Sequence, residues 1–411
     1  MCHSGMKALS GIVFAVSVIL TACQPPPAVN SPVPTQTPPS PVLTEESSSI
    51  ENSETPTLLP DESPPSGATS QFKTDFSKHS VPYSEILSGG PPRDGIPALN
   101  APRFVSVPEA DEWLKPVEPV ILVQVGEDAR AYPIPLLIWH EIVNDTVGDE
   151  PLIVTFCPLC NTAIAFKRTV DGNALIFGTT GRLRYSNLIM YDRQTETWWQ
   201  QATGEAIVGE LTGSHLEFYP AVIISWLDFK TSYPQGKVLS RETGHPRDYG
   251  RNPYLGYDDV RNSPFLYKGP VTPDQLPPVA RVLTVDLNGV AVAYPYETLE
   301  QIGVANDTVG GKAVVVFWQA GTSSPLGNST TANGRDVGTA AAFSRAVDEQ
   351  TLTFVAENGA IKDNETGSTW NVLGIAESGP LAGTHLTPVV SINHFWFSWA
   401  AFKPQTRIYA P

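Results

Sequence analysis

Cysteine is scarce in this chain: 411 residues carry 4. Cys2 and Cys23 lie at the N-terminus, so only Cys157 and Cys160 remain for a folded part. That excludes a scaffold stapled by many disulfides. Cations are also few, with 26 Lys and Arg against 42 Asp and Glu and a net charge of −16. No basic patch interleaves with aromatics, so nucleic acid is not expected as a partner. Long apolar runs are missing too. The most apolar stretch, Ala8 to Leu20, falls short of the roughly 20 residues a membrane-spanning helix needs. No Gly-rich phosphate loop precedes a helix, and no Gly-x-Ser-x-Gly elbow is present. His140-Glu141 lacks the second His of a zinc-protease helix. A hydrolase therefore has little support. Strands and helices do not alternate, which argues against a doubly wound sheet.

What is there begins with an export signal. Lys7 precedes the apolar run, which ends in Leu20-Thr21-Ala22-Cys23. That ending resembles a bacterial lipobox, so residues 1–22 read as a lipoprotein signal peptide and Cys23 as the lipidated residue that anchors the chain to a membrane. Gln24, not Asp, follows the cysteine, and nothing argues for retention at an inner membrane. The expected location is extracytoplasmic, on the cell membrane or an outer membrane. Residues 23–90 are rich in Pro, Ser, Thr and Glu and read as a disordered tether.

The remainder aligns with itself. Ala131-Tyr132-Pro133 recurs as Ala293-Tyr294-Pro295, and Asn144 to Gly148 recurs as Asn306 to Gly310. Thr162 to Phe166 matches Thr339 to Phe343, and Gly213-Ser214-His215-Leu216 matches Gly383-Thr384-His385-Leu386. Four anchors in one order imply an internal duplication. The expected fold is α+β and β-rich, with two tandem related units over residues 91–270 and 271–411. Val120–Val125 with Ala129–Tyr132 predicts a hairpin, and Leu152–Phe156 a buried strand. Pro135 to Val143 has helical spacing, and the shared Asn-Asp-Thr-Val-Gly run reads as a turn.

A duplicated chain supplies its own comparison. Cys157 aligns with Gln319, His140 with Ile302 and Glu141 with Gly303, so the second unit lacks Cys157, Cys160, His140 and Glu141. His215 has its counterpart in His385 and reads as structural. Trp139, Trp198 and Trp199 read as core, and Arg182, Arg184, Asp192 and Arg193 as a salt-bridged face more than an anion site.

Cys157-Pro158-Leu159-Cys160 sits between two predicted strands. A thioredoxin-type pair instead opens a helix, so that fold is not expected. The Cys-Pro-x-Cys turn resembles a rubredoxin or zinc-ribbon knuckle, whose backbone N–H groups favour thiolates. Three readings follow. The pair is a dithiol that cycles with its disulfide, with His140 as base or thiolate stabiliser and a redox partner or small ligand unidentified. It is half of a transition-metal shell, for copper, zinc or iron, completed by His140 or His245. Or it is a structural staple, although so short a loop gains little from one.

These motifs resemble a family known only as domain of unknown function 3179. The resemblance rests on Asp94-Gly95-Ile96-Pro97, Trp139 to Asp145, Cys157 to Cys160, Met190-Tyr191-Asp192-Arg193 and Arg247 to Arg251. Some members of that family are described as selenoproteins. The resemblance thus implies selenium at one position of the pair in those members, and so favours the redox reading here.

Overall fold

The structure is a computed structural model and describes Leu59 and residues 62–411. The signal segment and Cys23 lie outside the described residues. The architecture is β-rich with a few short helices. No helix among the described residues is long and apolar enough to cross a membrane.

The predicted first hairpin forms from Pro119–Val125 and Asp128–Pro133, with Val125 opposite Asp128. Its first strand buries five consecutive residues, so it is covered on both faces. A single helical turn, Ile134–Leu137, then leads into a three-stranded antiparallel meander of Ile142–Val147, Glu150–Cys157 and Thr162–Lys167. The expected helix over Pro135–Val143 is therefore much shorter. It ends because Glu141 takes a left-handed φ of 59° and turns the chain into a strand. A second antiparallel sheet follows, from Phe177–Arg184, Asn187–Asp192, Trp198–Gln200 and Ala206–Val208. Val222–Ser225 returns to pair with the first hairpin, the helix Trp226–Ser232 follows, and Lys237–Leu239 runs parallel to Asp128–Pro133.

Elements in the second half follow in the same order. Arg281–Leu287 and Val290–Pro295 form a hairpin, followed by the helix Tyr296–Ile302. The meander Val304–Val309, Lys312–Gln319 and Thr339–Ser344 comes next, then the sheet from Phe354–Glu357 to Ala376–Ser378. Ser391–Phe395, the helix Trp396–Ala400 and Arg407–Ile408 complete it. Asn393 pairs with Ala163, so Ser391–Phe395 joins the hairpin of the second half to the meander that carries the cysteines. One large apolar cluster accordingly holds Cys157 and Cys160 together with Leu326, Ile392 and Phe395.

Two expectations need correction. The shared Asn-Asp-Thr-Val-Gly run is a strand, not a turn: Ile142–Val147 pairs along its length, and only Gly148 turns. Asn144 lies there because its amide closes two bonds with the backbone of Phe177, and Asp145 because Arg130 and Tyr132 donate to it. Asn306 does the same with the backbone of Phe354. The tether does not extend to residue 90 either. Ala68, Phe72, Val81, Tyr83 and Ile86 are buried against Tyr191 and Trp198, and Ile86–Ser88 adds an edge strand to the second sheet. Three aromatics give this stretch enough apolar surface to order it.

Candidate functional site

Cys157 ends the strand Glu150–Cys157, and Cys160 ends the short 3-10 turn Pro158–Cys160. Asn161 reverses the chain with a left-handed φ of 50°, and Thr162 opens the returning strand opposite Cys157. The strand-turn-strand setting expected for this pair is thus the one found. Both thiols are free and almost wholly enclosed, with 1% and 0% of their surface exposed.

A second hairpin tip closes over the sulfurs. Tyr185 and Ser186 form its two-residue turn, both with positive φ, between Arg184 and Asn187. The carbonyl of Ser186 lies 3.8 Å from the Cys157 sulfur and 3.4 Å from that of Cys160, and accepts from both thiols. Burial pushes the Cys157 thiol up, and the adjoining Cys160 sulfur adds to this. The backbone at Leu188 and Cys160 acts against that rise without cancelling it.

Beneath the turn, the Thr162 hydroxyl donates to the Cys160 carbonyl at 3.2 Å. It must then accept from Nδ1–H of His394, 3.0 Å away on the strand of the second half. His394 is fully buried, which lowers its pKa to about 3 and keeps it neutral. Gln201 bonds Thr155, the Thr162 carbonyl and Asn187, tying the strands around the pair to one another.

Above the sulfurs runs residues 240–280, a connection without helix or strand. Connections of that length usually carry function. Tyr254, Tyr257 and Tyr267 pack from it onto the cluster that contains the cysteines. Tyr257 donates to the Leu159 carbonyl at 3.0 Å, and Ser186 donates to the Phe265 carbonyl. The cover is pinned from the second half. Asp258 is 3% exposed and accepts from Arg281 at 2.9 Å and from Ser324. Asn252 and Gly250 exchange backbone bonds with Ser329 and Thr331. Arg281, Ser324, Ser329 and Thr331 of the second half thus hold down the cover.

His140 is fully buried but faces elsewhere. Its Nδ1 lies 2.7 Å from the Pro97 carbonyl, which can only accept, so Nδ1 carries the hydrogen. Nε2 then accepts from the Tyr249 hydroxyl at 2.6 Å, and Tyr249 accepts from Thr243. Burial lowers the His140 pKa to about 4, against the Pro97 bond, with His245 and Arg247 adding to the fall. The ring is a neutral clamp between the segment at Pro97 and the start of the cover. His245 is exposed, with its ring 5.4 Å from that of His140. Both ring nitrogens of His140 are thus engaged away from the thiols. Among the described residues, no three His, Cys, Asp or Glu side chains come together as a metal ion would require. Cys157, Cys160, His140 and His245 are thus not brought together as one donor set.

The side chain that sequence reading passed over is Glu141. It is 8% exposed, and burial pushes its carboxyl well above the usual carboxylate range, with Cys157 as the neighbouring charge that adds to the rise. Its sequence signal was the alignment of Glu141 with Gly303. Other sequence readings hold in place: Trp198 and Trp199 are buried, Arg193 pairs with Asp94 at 2.8 Å, and Arg184 with Glu85 at 2.7 Å. His215 is exposed, and its backbone bridges Glu205 as that of His385 bridges Ile375.

Comparison with known families gives one match, to the family described as "Protein of unknown function (DUF3179)", over residues 93–406. The chain belongs to that family. No curated protein and no solved structure matches it. The matched span takes in the Asp94–Arg193 ion pair, the His140–Tyr249 hydrogen bond and both cysteines.

Proposed function

We propose that this family member is an extracytoplasmic, lipid-anchored thiol–disulfide redox protein. The observation that carries the reading is the pair of unbonded, buried thiols at one turn, both donating to the Ser186 carbonyl. A staple would be expected as a closed disulfide, and a metal shell would need further donors. Cys157 is the first nucleophile and Cys160 the resolving thiol. In the oxidising direction Cys157 attacks a partner disulfide, that S–S bond breaks, and a mixed disulfide forms. Cys160 then attacks the Cys157 sulfur and displaces the second partner sulfur. Two electrons and two protons pass to the partner, which leaves as a dithiol.

Enclosure makes the resting dithiol slow, since the thiolate is the reactive form and burial disfavours it. Residues 240–280 must move aside for reaction. The same reading takes residues 91–270 and 271–411 as tandem copies of one unit, of which only the first keeps the dithiol. Matching bonds support this: Asn144 and Asn306 each clamp the backbone of a following Phe, and Trp199 and Trp370 donate to Asp192 and Asp363. Cys23 carries the lipid anchor, supported by the Leu-Thr-Ala-Cys sequence.

The test is trapping. With oxidised glutathione, the Cys160→Ser chain should accumulate a Cys157–glutathione mixed disulfide, whereas the Cys157→Ser chain should not. Equal trapping in both variants, or none in either, contradicts the assignment.

A further inference from the structure

We propose that Ser186 is a positioning residue for the dithiol: its backbone carbonyl holds both cysteines as thiols, and its side-chain hydroxyl makes that hold depend on the cover formed by residues 240–280. The inference rests on the redox reading above and adds what keeps the pair unreactive until a partner has moved the cover.

The hold is direct. The Ser186 carbonyl accepts from the Cys157 thiol at 3.8 Å and from the Cys160 thiol at 3.4 Å. A carbonyl oxygen can only accept, so it bonds a protonated sulfur and repels a thiolate. One oxygen therefore favours the thiol at both positions. Among the described residues, no Lys, Arg or His hydrogen-bonds either sulfur. The titratable side chains whose charge bears on the sulfurs are Glu141, Tyr254, Tyr257 and Tyr267, none of them a cation. With the tip in place, the pair is kept in the form that does not attack disulfides.

The tip is fastened from outside. The Ser186 hydroxyl donates to the Phe265 carbonyl at 2.5 Å, and the Phe265 N–H donates to the Tyr257 hydroxyl at 3.2 Å. Tyr257 in turn donates to the Leu159 carbonyl at 3.0 Å. One residue of the cover thus meets both walls of the thiol chamber, the hairpin tip through its carbonyl and the Cys-Pro-Leu-Cys turn through its N–H. Among the described residues, the Ser186–Phe265 bond is the one side-chain hydrogen bond between Tyr185–Ser186 and the cover. The Tyr185 ring adds packing, 6.5 Å from Tyr267 and 5.4 Å from Phe402. The strands below the tip are fixed without the cover: Arg184 pairs with Glu85 at 2.7 Å, and Asn187 bonds Gln201 at 2.7 Å and Gln200 at 2.6 Å.

Lifting the cover at Phe265 breaks the Ser186 bond and frees the tip to withdraw its carbonyl. The Cys157 S–H bond then breaks, its proton passes to the water that enters, and the sulfur keeps the electron pair with which it attacks the partner disulfide. Access and ionisation are gained in one movement, and the closed chain keeps its dithiol.

The experiment measures iodoacetamide alkylation of Cys157 and Cys160 in the reduced full chain from pH 6 to 10, for wild type, Ser186→Ala and Ser186→Gly. Losing a hydrogen bond of this kind weakens closure about fivefold. Both variants should react about fivefold faster, with the midpoint of the pH profile lower by about 0.7 unit, which is that factor applied to a proton equilibrium. Disulfide formation with oxidised glutathione should quicken by a similar factor. Ser186 has a φ of 64°, which glycine adopts freely and alanine does not. Ser186→Gly should therefore keep the higher urea midpoint of the two, which separates the lost hydroxyl from a damaged fold. A uniform rise at every pH with an unmoved midpoint would mean that Ser186 only fastens the cover, and it overturns the proposal, as does an unchanged profile. In both cases a wild-type chain that still forms the Cys157–Cys160 disulfide leaves the redox reading standing. A wild-type chain that forms no such disulfide removes that reading and this proposal with it.

Discussion

The Tyr257 hydroxyl donates to the carbonyl of Leu159, within the Cys-Pro-Leu-Cys turn, at 3.0 Å. It is a direct bond between the long cover and the turn that carries the two thiols. A buried, neutral hydrogen bond is worth about 1 kcal/mol, or about fivefold in an equilibrium. Tyr257→Phe should therefore raise the rate at which iodoacetamide modifies Cys157 and Cys160 in the folded chain about fivefold. Quantifying alkylated peptides over time checks it, and an unchanged rate would mean that the thiols are reached by another route.

Asp258 ties the same cover to the second half. Removing its carboxylate leaves Arg281, 8% exposed at its side chain, without its ion-pair partner. Breaking such a buried pair costs roughly 3–5 kcal/mol. Asp258→Ala should lower the urea midpoint and raise thiol alkylation more than Tyr257→Phe does, and one urea titration with one alkylation series measures both.

His140 sets a pH dependence of stability. Its folded pKa of about 4 lies below the ordinary value of 6.5, so the unfolded chain binds the extra proton first. Stability is then fully present above about pH 6.5 and is lost as pH falls toward about 4. His394 acts with the same sign, its folded pKa being about 3. In His140→Gln the stability curve between those limits should be flatter than in wild type, leaving the His394 contribution. His140→Ala should loosen Tyr249 and speed thiol alkylation, opposite to the loss of rate expected if His140 were the base.

Phe72 tests where the folded part begins. It is 4% exposed, and its ring lies 5.2 Å from Tyr191 and 5.1 Å from Trp198. Phe72→Ala should destabilise the chain by about 3–5 kcal/mol. A fully mobile tether would predict no change in the urea midpoint.

Much of this arrangement was legible in the sequence, for identifiable reasons. Alternating and continuous apolar runs mark Pro119–Val125 and Glu150–Cys157 because their burial follows strand geometry. The strand-turn-strand setting of Cys157 and Cys160 was read from the same runs. Asn144 and Asp145 misled because their composition favours turns, while here their side chains bond partners that are distant in sequence. The start of the fold was missed because Phe72, Phe76 and Tyr83 are isolated in a Pro- and Ser-rich stretch, and only their partners on the second sheet bury them. If the two halves are taken as copies, His140 and the cysteines have no counterpart in the second half, which made a shared site a reasonable reading. Co-occurrence carries no information about direction, and the left-handed turn at Glu141 sends the neighbouring side chains to different environments.

The most direct test is a redox titration of the full chain in glutathione buffers, reading intact mass after acid quench and thiol blocking. The account predicts a two-electron transition between a dithiol and a Cys157–Cys160 disulfide lighter by two hydrogens, with a potential of about −180 to −270 mV, the range of exchanging pairs. A chain whose thiols stay reduced across the titration, or whose disulfide resists reduction below about −300 mV, would contradict it.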